Sequence, residues 1–311
     1  MPSAPARQLS QLLETLHAAG TLTATELAGL SDLSREDAHS VAGAFAGLPS
    51  TERESLLIRA LELAEDNVDL DFSRFAAAAL GDPEAPVRRA AVRILWESVD
   101  RATITRLAAL VRDDGDEAVR AASAATLAGA VVRAEFDALD RETSEAVTNA
   151  LRAAADDPSE AIDVRVAAIE SLGARSLPWV TTLINDAYYA EDDRLRIAAV
   201  RAMGASAEER WVEYLADLAV SDDPEFRFEA AQSLGGIASD EGIEPLISLL
   251  DDEDLEVVTA ALQALGSIGG DDVVELLTRL QAEPPEGLEE EVDAALEMAR
   301  FVTTEGGRDG E

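Results

Sequence analysis

Arginine is the residue type in this chain whose spacing first suggests chemistry. Arg88, Arg120, Arg165, Arg196 and Arg227 each follow an apolar residue, in the pairs Val87-Arg88, Val119-Arg120, Val164-Arg165, Leu195-Arg196 and Phe226-Arg227. A regular row of guanidinium forks can bind anions, since each presents planar N–H donors to a carboxylate or phosphate. An Asp-rich loop precedes every one, so the nearest anions are the chain's own: Asp82, Asp113 and Asp114, Asp156 and Asp157, Asp192 and Asp193, Asp222 and Asp223. Such loops also offer oxygen to hard cations, most densely at Asp113, Asp114 and Asp116 and at Asp251, Asp252 and Asp254. Neither run has the Gly and distal Glu of a calcium loop. Helix capping and solvated charge account for them, and no metal site is assigned.

The other reactive residue types are sparse or missing. His17 and His39 fall at different helical positions, and Cys is absent, which removes disulfides, thiolate metal sites and thiol nucleophiles. No Gly-rich loop follows a strand pattern and no Gly-x-Ser-x-Gly elbow occurs. Carboxylates are too numerous for any pair to mark an acid and a base. The sequence therefore predicts no catalytic residue, no cofactor and a chain that is not an enzyme.

The charge narrows the partners. Asp and Glu number 63 against 25 Lys and Arg, no Lys occurs, and the net charge is −38. That field repels phosphate backbones and anionic membrane surfaces, so neither nucleic acid nor membrane is an expected partner. Two origins fit the acidity: a cytoplasm of very high salt, which is favoured, or a GC-rich lineage that avoids Lys. Met1 to Ala6 has no basic segment leading into an apolar run, and no stretch approaches the roughly 18 apolar residues of a membrane span. A cytoplasmic, monomeric protein is expected.

The elements that carry these residues follow from a repeat. Val164, Leu195, Phe226 and Val257 recur at intervals of 31, each after an acidic loop and each before a Leu-Gly or Met-Gly pair: Leu172-Gly173, Met203-Gly204, Leu234-Gly235 and Leu265-Gly266. Acidic residues suit a helix N-terminus, and the Gly predicts a left-handed stop at the other end. A second helix follows, with Val212, Leu215 and Leu218 aligned on Ile243, Leu246 and Leu249 and on Val274, Leu277 and Leu280. With 47% apolar but only 4% aromatic residues, such helices must pack closely through Ala, Leu and Val. A hairpin of this size cannot bury both its faces alone, but stacked hairpins form a continuous core. The predicted fold is all-α, a right-handed α-solenoid of helical hairpins.

Residues 1–47 are expected to be N-terminal capping helices: one over Leu9, Leu12, Leu13 and Leu16, a short one over Thr25 to Leu30, and one opened by Ser34 that runs to Gly47. Residues 48–282 hold about seven units, Val131 to Ala155 reading as one lengthened second helix. Residues 283–302 form a closing helix, and 303–311 a disordered polar tail.

The acidic loop, Val-Arg, Ala-Ala, Leu-Gly and Pro-Leu order resembles the HEAT-like repeats of the phycocyanobilin-lyase (PBS lyase) type. The fullest match contains Phe226-Arg227, Ala230-Ala231, Leu234-Gly235 and Glu244-Pro245-Leu246-Ile247. The resemblance implies that the arginine column and the loop aspartates interlock neighbouring units. It also implies three lines of function: a protein-binding scaffold, attachment or chaperoning of bilin chromophores, and a taxis or signalling adaptor. An iron-dependent HEAT-repeat hydroxylase is set aside, because its His-Glu pairs are missing: Ala18 follows His17 and Ser40 follows His39. HEAT-like DNA glycosylases have basic faces, from which this chain departs.

Aromatic residues are scarce and clustered. Trp179, Tyr188, Tyr189, Trp211, Tyr214, Phe226 and Phe228 fall in one short stretch of a chain with three Trp, three Tyr and seven Phe. Trp211 aligns with Gly242, and Phe228 with Arg89 and Thr259, so both are expected to be partly exposed. Interface anchors are commonly Trp, Tyr and Arg. The sequence thus points to Trp179, Trp211, Tyr214, Phe228 and Arg201 as the surface for another protein, and to a non-enzymatic scaffold as the function. For the acidity itself, the expected outcome is a melting temperature that climbs as salt rises from about 0.1 M to 1 M, where the Debye length falls from about 10 Å to about 3 Å. A flat profile selects the compositional origin.

Overall fold

The computed structural model describes residues 22–96 and 100–306, together with Glu14 and Thr15. The helix expected over Leu9 to Leu16, His17 and the chain beyond Gly306 therefore lie outside the described residues, apart from that pair. Among the described residues every regular element is helical and none is a strand. The all-α expectation holds, and the helices form the antiparallel hairpins of an α-solenoid. They divide into two compact units, Met1–Ser171 and Leu172–Glu311.

The first unit opens with α1 (Ala24–Ala28) and α2 (Arg35–Ala46). Thr23 and Glu26 cap α1 reciprocally, and the Ser34 hydroxyl accepts from the Asp37 amide to start α2. Then come α3 (Ser50–Asp66), α4 (Ser73–Ala79), α5 (Ala85–Ile94), α6 (Arg101–Asp113) and α7 (Glu117–Thr126). The region expected as one long helix is broken into α8 (Ala128–Glu135) and α9 (Arg141–Asp156). The cause is local. Asp140 accepts from the Thr143 amide and hydroxyl at 3.1 and 2.7 Å, a cap that restarts the helix, and Asp137 before it takes a left-handed φ of 54°. Apolar periodicity concealed that cap. The unit closes on α10 (Ile162–Leu172).

The second unit is more regular. It runs through α11 (Pro178–Tyr188), α12 (Asp193–Ser206), α13 (Val212–Leu218), α14 (Pro224–Ile237), α15 (Ile243–Leu249), α16 (Leu255–Ile268), α17 (Asp271–Ala282) and α18 (Glu289–Gly306). Short 3-10 turns at Glu209–Trp211 and Asp240–Gly242 lead into α13 and α15. The last helix runs four residues past 302, into the segment expected to be a disordered tail. The second-helix column is the core: Leu215, Leu246 and Leu277 are each 0% exposed.

Gly173 directly follows the last residue of α10, but the other three glycines do not stop helices. Gly204, Gly235 and Gly266 lie inside α12, α14 and α16. A Cβ built on Gly204 would sit 2.8 Å from Ser233 Cα, and one on Gly235 would sit 2.8 Å from Ala264 Cα. Each glycine therefore marks where the first helix of one hairpin meets the first helix of the next, backbone against backbone. The left-handed stops fall three residues later, at Ala207 and Ala238, with φ of 51° and 54°.

The arginine column is a ladder in four places. Arg227 donates through Nε and Nη2 to the two oxygens of Asp252 at 2.6 and 2.8 Å, while its Nη1 donates to the Ser221 carbonyl at 2.9 Å. Arg88 does the same with Asp114 and the Asp82 carbonyl, and Arg120 with Glu160 and the Asp114 carbonyl. Arg53, which the sequence reading passed over, adds a rung to Asp82. The Asp82, Asp114 and Asp252 side chains are 5%, 4% and 7% exposed.

Arg165 and Arg196 depart from the column. Arg165 Nε donates to the Ala155 carbonyl at 3.3 Å, and Arg196 pairs with Asp193 of its own helix and lies 4.4 Å over the Phe226 ring. The reason is in the loops. Asp82, Asp114 and Asp252 stand five residues before Val87, Val119 and Val257, whereas the aligned positions before Leu195 and Phe226 are Ala190 and Ser221. Ser221 keeps the turn, its hydroxyl accepting from the Asp223 amide as Asp252 accepts from the Asp254 amide, but it carries no charge. Arg201 is exposed, as read, and pairs with the buried carboxylate of Glu229.

Two outcomes test these packing assignments by thermal and denaturant melting. Gly235→Ala is expected to destabilise by about 1–3 kcal/mol through overpacking, whereas Gly43→Ala, in α2 with nothing within 4 Å of the added Cβ, gains up to about 1 kcal/mol. Arg227→Ala should cost about 3 kcal/mol, since it strands a buried carboxylate, against about 1 kcal/mol for Arg196→Ala. The Arg227 hydrogen bond holds the Asp252 carboxyl below its ordinary range. That contribution is present above the unfolded value of about 4 and lost as the pH falls through the depressed one. The gap between the native chain and Arg227→Ala should therefore close in acid.

Candidate functional site

The clustered aromatic residues meet at the start of α13 in the second unit. The 3-10 turn Glu209–Trp211 delivers Trp211 directly ahead of that helix, and Tyr214 follows one turn later. Their rings pack edge to face at 5.4 Å. Tyr214 in turn meets Tyr188, at the end of α11, at 5.5 Å, and Tyr188 meets Tyr189 at 5.0 Å. Edge-to-face contact is the preferred arrangement of aromatic quadrupoles. Four rings thus form one chain from the interior outward: Trp211 is 3% exposed and Tyr189 is 68% exposed. Burial, helped by Tyr189 and Asp217, pushes the Tyr188 phenol up from its ordinary value.

Beside this chain of rings lies a cleft of about 380 Å³, lined by Thr181, Thr182, Asn185, Arg210, Trp211 and Tyr214. No lining residue is acidic. Arg210 approaches Glu208 at 2.5 Å. The Trp211 Nε1 is buried and donates to no acceptor. Further along the unit, a groove of about 590 Å³ between the starts of α15 and α17 has the opposite character, lined by Asp240, Glu244, Asp271 and Asp272 with Ile243, Gly269 and Gly270.

The sequence-predicted surface is brought together only in part. Trp211 and Tyr214 are in contact and Trp179 stands half-buried on α11, but Trp211 is buried, which corrects the expectation of an exposed ring there. Tyr214 packs on the Trp211 ring, and Tyr188 packs in turn on Tyr214. Phe228 is half-buried on α14, in the first-helix layer, and makes no ring contact; Arg201 is held by Glu229. The anchors left out were Tyr188 and Tyr189, with Asn185 and Arg210 on the cleft. Arg210 had a readable signal, since it is a cation where the two following units carry Glu241 and Asp272. The first unit also carries exposed rings that the sequence reading passed over, Trp96 at 61% and Phe136 at 78%. Among the described residues no three His, Cys, Asp or Glu converge as metal ligands, and no helix is long and apolar enough to cross a membrane.

Comparison with known proteins agrees with this architecture. Residues 72–173, 177–247 and 212–297 match HEAT repeats. No curated protein matches in sequence. Among solved structures, the complex of CpcE and CpcF of phycocyanin lyase from Nostoc sp. PCC7120 is similar at a TM-score of 0.53 and 18% identity, covering 86% of this chain and 95% of that one. A chain of the structure of Kap95p with RanGDP is similar at a TM-score of 0.51 and 13% identity, covering 95% of this chain and 46% of that one. At these identities the likeness is one of fold.

Proposed function

The chain belongs to the HEAT-repeat family, and we propose from that premise that it is a non-enzymatic scaffold or adaptor whose second unit docks another protein. The observation that carries this reading is the connected chain of Trp211, Tyr214, Tyr188 and Tyr189, which ends in a largely exposed ring. A core built from Ala and Leu has no need of an exposed tyrosine on a stacked aromatic base. Rigid aromatic residues offer contact area at little entropic cost, which is why they anchor interfaces. Trp179 and Phe228 belong to the proposed surface as flanking contacts, and Trp211 supports Tyr214 from behind. Arg201 is proposed as a rim contact beside Phe228, held in place by Glu229. That the structures of similar fold are complexes, CpcE with CpcF and Kap95p with RanGDP, supports a protein as the partner.

A partner captured from the native host at matched salt provides the test. Tyr189→Ala and Tyr214→Ala should each weaken its binding by about 2 kcal/mol or more, with melting temperatures that report an intact fold. Phe136→Ala, in the first unit, should leave affinity unchanged. If Phe136→Ala abolishes binding while the tyrosine variants do not, the docking surface lies in the first unit and the assignment fails.

A further inference from the structure

We propose that the cleft beside Trp211 receives a carboxylate, the side chain of a glutamate or aspartate on an extended segment of the docked protein. This rests on the reading of the second unit as a docking surface and names the chemistry that its cleft selects.

Three observations converge. The first is the Trp211 Nε1, a donor with no acceptor on a side chain that is 3% exposed. An unmade hydrogen bond of this kind costs free energy unless something completes it, and Trp indoles in cores are ordinarily paired. The ring borders the cleft, which makes an occupant carrying an acceptor the nearest candidate to complete that bond. The second is the lining itself. Thr181, Thr182, Asn185, Arg210, Trp211 and Tyr214 all carry N–H or O–H donors. The Thr182 hydroxyl already donates to the Pro178 carbonyl, but in a chain with 63 acidic residues a lining of five further donor-bearing side chains without one carboxylate has the composition that an acceptor-rich group requires.

The third is the position of Arg210. Its aligned residues Glu241 and Asp272 would repel an anion, and the equivalent groove around Asp240, Glu244, Asp271 and Asp272 is acidic. Arg210 uses one edge of its guanidinium toward Glu208 and is well exposed on the side chain. A planar guanidinium has five N–H donors, so one edge remains for a second carboxylate. The cleft is thus the one place along this series of hairpin ends where the repeat exchanges a carboxylate for a cation. An amide or lysine side chain would gain less there: the amide brings no charge, and the ammonium finds no carboxylate in the lining and faces Arg210.

The experiment needs no identified partner. The full chain, labelled with nitrogen-15, has three tryptophan indole signals, one for each Trp, and Trp211→Phe assigns the signal of Trp211 by its loss. At low ionic strength the chain is titrated with capped Gly-Glu-Gly, Gly-Gln-Gly and Gly-Lys-Gly peptides and with succinate. The expected result is a saturating shift of the Trp211 indole with the Glu peptide. The Gln peptide should bind about tenfold more weakly, reflecting the loss of a charge-assisted contact, and the Lys peptide should leave the signal in place. Arg210→Gln should weaken the Glu peptide about tenfold and leave the Gln peptide unchanged.

An unmoved indole, or an equal shift with the Lys peptide, overturns the proposal. A shift with succinate and none with the Glu peptide overturns the choice of a protein segment as occupant. Failure of the titration while Tyr189→Ala still abolishes partner binding rejects the cleft alone. Loss of that effect in Tyr189→Ala and Tyr214→Ala rejects the docking surface, whatever the peptides show.

Discussion

Backbones of consecutive first helices touch where Gly204, Gly235 and Gly266 leave no room for a methyl group, and the second unit's geometry follows from that contact. At such distances the helices cannot slide, because the next residue along would carry a Cβ into the neighbouring backbone. Ser233, opposite Gly204, adds direction, its hydroxyl donating to the Val200 carbonyl at 2.9 Å. The register fixed at one end of each helix sets where the loop at the other end arrives. It is this placement that brings Asp252 within reach of Arg227, so the ion pair reports the packing as much as it causes it.

The rungs do more than hold loops together. In a chain of net charge −38, each loop concentrates carboxylates that repel one another, and a guanidinium inserted between two loops compensates one while tying the other's carbonyl. Hydrogen bonds from Arg120 and Arg227 keep Glu160 and Asp252 below the ordinary carboxylate range. Burial works against ionisation of Asp114, yet the Arg88 hydrogen bond and the nearby cations together still hold its pKa down. The departures at Arg165 and Arg196 show how exact the requirement is in chemical terms. Ser221 at the carboxylate position keeps the turn and removes the rung, and Arg196 then settles on its own Asp193 and the Phe226 face.

Much of this was legible in the sequence, because the information is periodic. The recurrence of an apolar residue at 31-residue intervals, with Leu215, Leu246 and Leu277 in phase, specifies stacked hairpins whatever the side chains on the surface. What the sequence concealed was non-periodic or had two explanations. A glycine after leucine near a helix end reads as a stop, and only the neighbouring backbone shows that Gly235 serves close approach while Ala238 takes the left-handed turn. The cap at Asp140 interrupts a stretch whose apolar spacing is continuous. Trp211 aligned with a glycine and so read as exposed, but it is buried with Tyr214 packed on it, and Tyr188 from another helix extends the ring contacts, a juxtaposition that no spacing within one helix encodes.

The aromatic chain and the donor-lined cleft have a common origin in the same departure from the repeat. Where sister hairpins place Glu241-Gly242 or Asp272-Val273 at the entry to the second helix, this one places Arg210-Trp211. The large ring lies in the interior with Tyr214 packed on it, Tyr188 and Tyr189 continue the ring contacts to an exposed edge, and the arginine brings a cation to the neighbouring cleft. A single dipeptide exchange in a repeated frame thus creates contact area and polarity reversal at one spot, while the glycine contacts and the rung at Arg227 keep the surrounding hairpins in register. The departure falls at a hairpin end that carries no rung, where the frame is free of the ion-pair constraint that Arg227 and Asp252 impose on the next hairpin.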